Sequence, residues 1–173
     1  DPRRTATART ADLHLAITPG SDLALANGLL FLAIEEKLVD LEFIRCRTVG
    51  YEAVRRTVLH YHPARVEQLT GLPESALRQA IRWLAEKPSL ILTGRGAEQH
   101  SKGVDTVLAY INLALALGHI GQPGGGYGCL TGQANGQGGR EHGQKADQLP
   151  GYRLIEVPEH REQVARHWGV DPQ

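Results

Sequence analysis

The sequence predicts an α/β domain, and three observations support this fold class. Its 173 residues, 41% of them hydrophobic, are enough to bury one globular core. Short apolar runs bounded by glycine or proline alternate with segments of helical periodicity, which is the order typical of α/β domains. A glycine-rich segment at residues 118–143 follows and holds more than half of the 20 glycines.

The first predicted element is a short strand at residues 12–17, where polar and apolar residues alternate before Pro19 and Gly20 end the run. Ser21 or Asp22 can then cap a helix. A second strand is predicted at residues 89–93, because this apolar run lies between Pro88 and Gly94, as buried parallel strands do. Helices are predicted at residues 22–38, 41–47, 51–60, 64–69, 73–87, 103–117 and 159–168.

Composition restricts the function classes. Lys plus Arg equals Asp plus Glu, so no global field favours nucleic acid or an anionic membrane. Cys46 and Cys129 are too few for a zinc site or an iron–sulfur cluster, and a disulfide is not expected without a signal peptide. The longest apolar run, residues 113–117, is too short for a bilayer, so we expect a cytoplasmic location. Because the chain contains no methionine, we expect it to be a segment of a longer protein.

Ligands of α/β sheets bind at the carboxyl ends of the strands. Residues 19–22 and 94–99 lie at such ends, as would Asp1 if a strand preceded it. Gly94 and Gly96 would let backbone amides approach a phosphate, although a tight strand-to-helix turn explains them equally well. Gln99 replaces the third glycine of a dinucleotide fingerprint. Asp22 can accept two N–H groups of guanine or simply cap a helix, and Asp1 can hold ribose hydroxyls or lie in a turn.

The segment from Thr131 to Gly143 combines glycines with amide side chains that suit a polar heterocycle, contributed by Gln133, Asn135 and Gln137. Arg140 adds a rigid cationic fork for an oxyanion. The alternative is a flexible linker. We expect no regular structure here, and no order in the isolated domain, because ordering glycines costs much entropy. His60 and His62 have no evident third metal ligand and are interpreted as helix-end residues.

Several motifs, in this order and spacing, resemble the cofactor-binding domain of the molybdopterin oxidoreductases, a superfamily that includes formate dehydrogenases and nitrate reductases. They are Asp1-Pro2-Arg3, Ala11-Asp12-Leu13-His14, Pro19-Gly20-Ser21-Asp22-Leu23-Ala24-Leu25, Asn112-Leu113-Ala114-Leu115, Gly118-His119-Ile120-Gly121, Pro123-Gly124, Thr131-Gly132-Gln133 and Leu149-Pro150-Gly151-Tyr152. Formate dehydrogenases typically have Arg in place of Thr131 and lack Arg-Glu at positions 140–141. The resemblance is therefore strongest to the assimilatory nitrate reductases.

The resemblance implies a three-layer, Rossmann-like domain with a mainly parallel sheet, a long glycine-rich loop and a helical tail, which we assign to residues 1–121, 122–151 and 152–173. It implies half of a bis-molybdopterin guanine dinucleotide site holding molybdenum. The implied cofactor-binding residues are Asp1, Arg3, Gly20 and Asp22 in the two motifs at the guanosine end, Gly94, Gly96 and Gln99 along the pyrophosphate and pterin, and Gly132 and Gln133 near the metal.

Arg140 and Thr131 are the implied catalytic residues, with Arg140 holding nitrate in the substrate funnel. The resemblance also implies a 4Fe-4S cluster, further domains of the same polypeptide and an electron-donor protein, with no metal ligand in this chain. Alone, the segment is expected to be inactive and to bind no cofactor tightly. Arg95 departs from relatives, many of which have Met there. The alternatives are another enzyme of the superfamily, such as a formate dehydrogenase, and a non-catalytic nucleotide-binding module.

Overall fold

The computed structural model describes residues 1–172, apart from the side chain of Gln137, and divides the chain into two units. The first unit is Asp1–Leu130, and the second begins at Thr131. The first unit contains, in order, α1 (Ala6–Thr10), α2 (Asp22–Glu35), α3 (Leu41–Arg47), α4 (Tyr51–Val58), α5 (Pro63–Thr70), α6 (Glu74–Glu86), β1 (Leu90–Thr93), α7 (Arg95–Glu98), α8 (Gly103–Ala116) and β2 (Gly126–Cys129).

Helix α2 lies at the centre of the first unit. It packs against α4, α5, α6 and α8, and it is buried on nearly every side. Such a helix must be apolar all round, as its sequence is. The backbones of α2 and α5 approach closely at Gly28, where a Cβ would lie only 2.6 Å from Cγ2 of the fully buried Val66. Gly28 therefore determines how near α5 can come.

An ion-pair network joins the end of α2 to α6. Arg78 donates to Glu36 at 2.6 Å and to Glu35 at 2.8 Å, while Arg82 donates to Glu36 at 2.7 Å. The Glu36 side chain is only 14% exposed, so its charge is poorly solvated and depends on these partners. Hydrogen bonds from Arg82 and Arg78 lower the pKa of the Glu36 carboxyl.

Strands β1 and β2 form a parallel pair, with Leu90 opposite Gly126 and Thr93 opposite Cys129. The connection between them contains α7 and α8, which makes a β-α-β unit. Both strands end at the same edge, where Gly94 follows β1. The α/β class and the strand predicted at residues 89–93 are confirmed.

The second unit contains α9 (Gly136–Glu141), the antiparallel pair β3 (Gln148–Leu149) and β4 (Arg153–Leu154), and α10 (Pro158–Trp168). The ring of His160 accepts a hydrogen bond from the Leu154 amide at 3.0 Å, which ties α10 to the small sheet. Among the described residues, none of the helices combines the length and the apolar character that crossing a membrane requires.

Two predicted elements are wrong. Residues 12–17 form no strand: the Ile17 amide donates to the Leu15 carbonyl at 3.1 Å, and the next residue, Thr18, donates to the carbonyl of Thr70 at the end of α5 at 2.9 Å. The alternation there reflects packing of Leu15 and Ile17 against the helical core, not pairing with a strand. The glycine-rich segment is also not a structureless loop, since it contains β2 and α9. The three-layer arrangement and the three domain boundaries stay predictions, as does disorder of this segment in isolation.

We expect Gly28→Val to lower the free energy of unfolding by about 1–3 kcal/mol, because its methyl groups would overlap the rigid Val66 side chain. Urea denaturation measures this. Combining it with Val66→Ala should recover part of the loss, since the smaller side chain makes room for the new one. Strictly additive effects of the two substitutions would contradict a direct contact.

Glu36→Gln is expected to lower the free energy of unfolding at pH 7 by about 1 kcal/mol. Because the folded-state pKa of Glu36 lies below its ordinary value of 4.5, its contribution is complete above that value. It is lost as pH falls through the lowered pKa, so variant and wild type should converge in acid. Glu52→Gln, in an exposed pair with Arg55, is the control and should change stability little at either pH. A difference that persists below the lowered pKa would exclude the charge as its cause.

Candidate functional site

A cavity of about 740 Å³ opens in the first unit at the carboxyl end of β1. Four separate segments of the sequence contribute to it, as expected at the carboxyl edge of a parallel sheet. The residues that line it are Asp1, Pro2, Arg3, Pro19, Gly20, Asp22, Leu92, Thr93, Gly94, Gly96, Ala97, His100 and Tyr110. The cavity thus combines carboxylates, one guanidinium and several glycines.

The segment at Asp1 is held in place by local hydrogen bonds. The Arg3 amide donates to the Asp1 carboxylate at 2.9 Å, and the His14 ring donates to the Asp1 carbonyl at 2.7 Å. Because the Asp1 carboxylate already accepts this backbone bond, its orientation at the cavity is fixed. Arg3 remains exposed beside it.

Glycines form the walls where backbone faces the cavity. A Cβ at Gly94 or Gly96 would meet no atom of the described residues within 4 Å, so the space beside them is open to a ligand. Gly20 has a φ of +84°, a backbone conformation that residues with a side chain rarely adopt. A Cβ there would lie 3.9 Å from the His100 ring. Backbone can therefore approach a bound group on two sides of the cavity.

Asp22 and Tyr110 reach the cavity from the adjacent helices α2 and α8. Ser21 occupies the N-cap of α2, so Asp22 lies in the first helical turn and is not the cap. Within residues 1–172 neither the Asp22 carboxylate nor the Tyr110 hydroxyl has a hydrogen-bond partner. Burial raises the pKa of Tyr110, and the charge of Asp22 raises it further.

A hydrogen-bonded cluster lies at the carboxyl edge of the two strands. The buried Thr93 donates to Glu98 at 3.1 Å, and the hydroxyl of Tyr127 lies 2.6 Å from the Thr93 oxygen and 3.2 Å from the sulfur of Cys129. Burial, followed by the hydrogen bond with Cys129, raises the pKa of Tyr127 to about 12. The cluster joins β1, β2 and α7 next to the cavity, and the sequence analysis did not identify it.

The other predicted site residues lie in the second unit. Thr131, Gly132, Gln133 and Arg140 are all exposed. The Thr131 hydroxyl donates to the Gln133 carbonyl at 2.7 Å, which folds this segment into a local turn. The Arg140 side chain, on α9, makes no hydrogen bond or ion pair with any other described residue, so its charge is available to an anion. The side chain of Gln137 lies outside the described residues.

The structure brings together six of the predicted cofactor-binding residues: Asp1, Arg3, Gly20, Asp22, Gly94 and Gly96. Gln99 is not one of the described residues lining the cavity. Its backbone N–H ends α7 by donating to the carbonyl of Arg95 at 2.9 Å. His100 and Tyr110 were not identified from the sequence. Tyr110 lies in an apolar helix, where the sequence pattern predicts a packing role. His100 directly follows the glycine turn, and this position could have indicated a place in the site.

Several other polar residues have structural roles. His62 is the N-cap of α5, where its ring accepts from the Arg65 amide, which confirms its assignment to a helix end. His142 donates to the carbonyl of Gly138 at 2.9 Å and closes α9. Over the described chain, no three His, Cys, Asp or Glu side chains are grouped closely enough to hold a metal ion.

Comparison with known proteins gives consistent matches. The chain is 46% identical over 171 residues to the assimilatory nitrate reductase catalytic subunit of Bacillus subtilis. It is 43% identical to the nitrate reductase of Synechocystis and 42% identical to formate dehydrogenase H of Escherichia coli, each across 99% of this chain. These matches cover 24% of each relative, so the chain spans about a quarter of their length.

A solved structure also matches. Acetylene hydratase from Pelobacter acetylenicus superimposes with a TM-score of 0.67 and 30% sequence identity, covering 70% of this chain and 17% of that protein. The family model described as molybdopterin oxidoreductase matches residues 1–168, which is nearly the whole chain. With this match, and with the cavity at the carboxyl edge of its sheet, the chain belongs to the molybdopterin oxidoreductase family.

Proposed function

We propose that this chain binds a molybdopterin guanine dinucleotide as part of a nitrate reductase. The observation that carries the proposal is the cavity that gathers Asp1, Arg3, Gly20, Asp22, Gly94 and Gly96 from three distant segments. When bound, the group supplies the two-electron chemistry that removes one oxygen from nitrate, giving nitrite and water. The chain supplies binding, orientation and charge.

The residues present fit such a group. The open space beside Gly94 and Gly96 would admit a pyrophosphate close to the backbone, which a side chain would prevent. The unpartnered carboxylate of Asp22 can accept the two adjacent N–H groups of guanine. Arg3 would offset phosphate charge at the same cavity.

In this proposal Arg140 holds nitrate. Its exposed guanidinium has no partner among the described residues, and its planar fork matches two oxygens of an oxyanion. Thr131, Gly132 and Gln133 contribute the turn next to the reacting group. Of the three relatives identified by sequence above, two are nitrate reductases.

The full proposal includes parts outside this chain. A 4Fe-4S cluster, an electron-donor protein and further domains of a longer polypeptide complete the enzyme, and the cytoplasmic location expected from the sequence stays a prediction. The 42% identity to formate dehydrogenase H makes formate oxidation the second candidate. Thr131 and the pair Arg140-Glu141 favour nitrate.

Gly96→Val should leave folding intact but impair cofactor binding. Its Cβ would enter space that is empty of protein, so the urea midpoint of the complete polypeptide should be unchanged. We expect the pterin content of the purified protein to fall roughly tenfold, the equivalent of about 1.4 kcal/mol of lost binding. Fluorescence of the oxidised pterin measures this. Ala64→Val, at an exposed position of α5 that does not line the cavity, is the control; equal pterin content in both variants would contradict the site.

Arg140→Ala should lower kcat/KM for nitrate roughly 100- to 1,000-fold, the usual effect of removing a preorganised donor to a developing negative charge. The assay uses the complete, metal-loaded polypeptide, with molybdenum content measured in parallel. Arg166→Ala removes an exposed arginine of α10 and serves as the matched control.

Two outcomes would contradict this role and substrate. An Arg140→Ala variant with wild-type kcat/KM for nitrate and normal molybdenum would remove Arg140 from the site. Wild-type protein that oxidises formate and does not reduce nitrate would keep the cofactor-binding role and replace the substrate.

A further inference from the structure

The cavity presents a pair of polar groups that the protein itself does not satisfy. Asp22 begins α2, Tyr110 lies on α8, and the two helices pack directly against each other. Both residues line the cavity, and their side chains lie close enough for the charge of Asp22 to act on the phenol. One side chain accepts hydrogen bonds and the other can donate one.

We propose that Tyr110 determines base specificity in this cavity, with its hydroxyl donating to the O6 carbonyl of a guanine whose N1–H and N2–H groups are accepted by Asp22. The inference deepens the proposed function and rests on it, since it names the residue that reads the nucleotide base.

The first support is the unsatisfied hydroxyl. Tyr110 is half-buried in a helix that is otherwise apolar, yet its oxygen has no hydrogen-bond partner within residues 1–172. No buried side-chain oxygen or nitrogen of the described residues lacks a partner, so the Tyr110 hydroxyl is open to the cavity. A ligand that covers it without accepting its hydrogen bond would bind less favourably, because buried tyrosine hydroxyls usually have a partner. The cavity is where this group can find an acceptor, because Tyr110 is one of its lining residues.

The second support is the protonation state. Burial raises the pKa of Tyr110, and the negative charge of Asp22 raises it further. The phenol therefore keeps its proton at neutral pH and acts as a donor. The carboxylate of Asp22 has only acceptor oxygens, so the pair combines one donor with one acceptor.

The third support is the match between this pair and one base edge. Guanine presents two adjacent N–H donors followed by the O6 acceptor, so a carboxylate and a hydroxyl together can satisfy all three groups. Adenine presents an amino group at position 6 and an unprotonated N1. The amino group is a donor and cannot accept the hydrogen bond from Tyr110. The lone pair of N1 would face the Asp22 carboxylate, which also has only lone pairs to offer.

Rigid placement makes the pair selective. Both residues are fixed on helices of the buried core, so they cannot rearrange to suit another base at low cost. Discrimination of this kind is strong, because the wrong ligand leaves a buried polar group unpaired.

The test measures binding of nucleoside diphosphates to the cofactor-free complete polypeptide by calorimetry. The probes are GDP, inosine diphosphate, which keeps O6 but lacks the N2 amino group, and ADP, which lacks O6. Wild type should prefer GDP. Tyr110→Phe should weaken the binding of GDP and of inosine diphosphate by the same factor, roughly tenfold for one lost hydrogen bond. Its affinity for ADP should be unchanged.

Matched controls separate the hydroxyl from general effects. Tyr51→Phe removes the hydroxyl of another partly buried tyrosine of the first unit that does not line this cavity, and it should bind GDP as wild type does. A diphosphate of 6-thioguanosine, whose sulfur is a weak acceptor, tests the same contact without any substitution. It should bind wild type several-fold more weakly than GDP and bind Tyr110→Phe as GDP does.

The outcomes distinguish the inference from the function on which it rests. If Tyr110→Phe binds GDP like wild type while GDP is still preferred over ADP, the role of Tyr110 is wrong and the guanine site stands. Equal weakening of GDP and ADP would show that the hydroxyl does not read O6, which also overturns the inference. Equal binding of GDP and ADP by wild type would overturn both the guanine site and the role of Tyr110.

Discussion

Burial of α2 is the constraint on which the first unit depends. A helix that packs against four others has no solvent-facing side to relax toward, so a change in its position must displace several neighbours. Gly28 allows a close contact with Val66, and the pairing of Glu36 with Arg78 and Arg82 fixes the other end of α2. Because Asp22 is the first residue of α2, packing in the core determines where Asp22 lies relative to Tyr110, its proposed partner in binding the base.

The two-stranded sheet adds a second, weaker constraint. Parallel pairing of β1 with β2 uses main-chain hydrogen bonds, so glycines can form it without side chains to pack. Its carboxyl edge is reinforced by Thr93, which joins Glu98 of α7 to Tyr127 of β2. The turn at Gly94 is consequently held from both sides, and the open backbone that we assign to phosphate binding is a rigid surface.

Sequence reasoning succeeded where side-chain pattern and structure have one cause. Periodic apolar residues predicted all the longer helices, and breakers on both sides predicted β1. Prediction failed where the side-chain pattern and the secondary structure have different causes. Residues 12–17 alternate because Ile17 is buried against helices, whereas β2 pairs through glycines that carry no pattern. In the site, glycine and acidic motifs predicted six cavity residues, but Tyr110 occupies a position that periodicity assigns to packing, and its unpaired hydroxyl is visible only in three dimensions.

Overall sequence similarity does not distinguish the two candidate substrates. Identity to a nitrate reductase is 46% and to a formate dehydrogenase 42%, a difference too small to select a substrate. Sequence similarity at this level shows a common fold, and one fold can support different reactions. The choice of substrate must then be sought in the chemistry of individual residues. In the function proposed above Arg140 is such a residue: it is charged, exposed and free of other described partners, and an enzyme that binds nitrate needs a cation that its own structure does not neutralise.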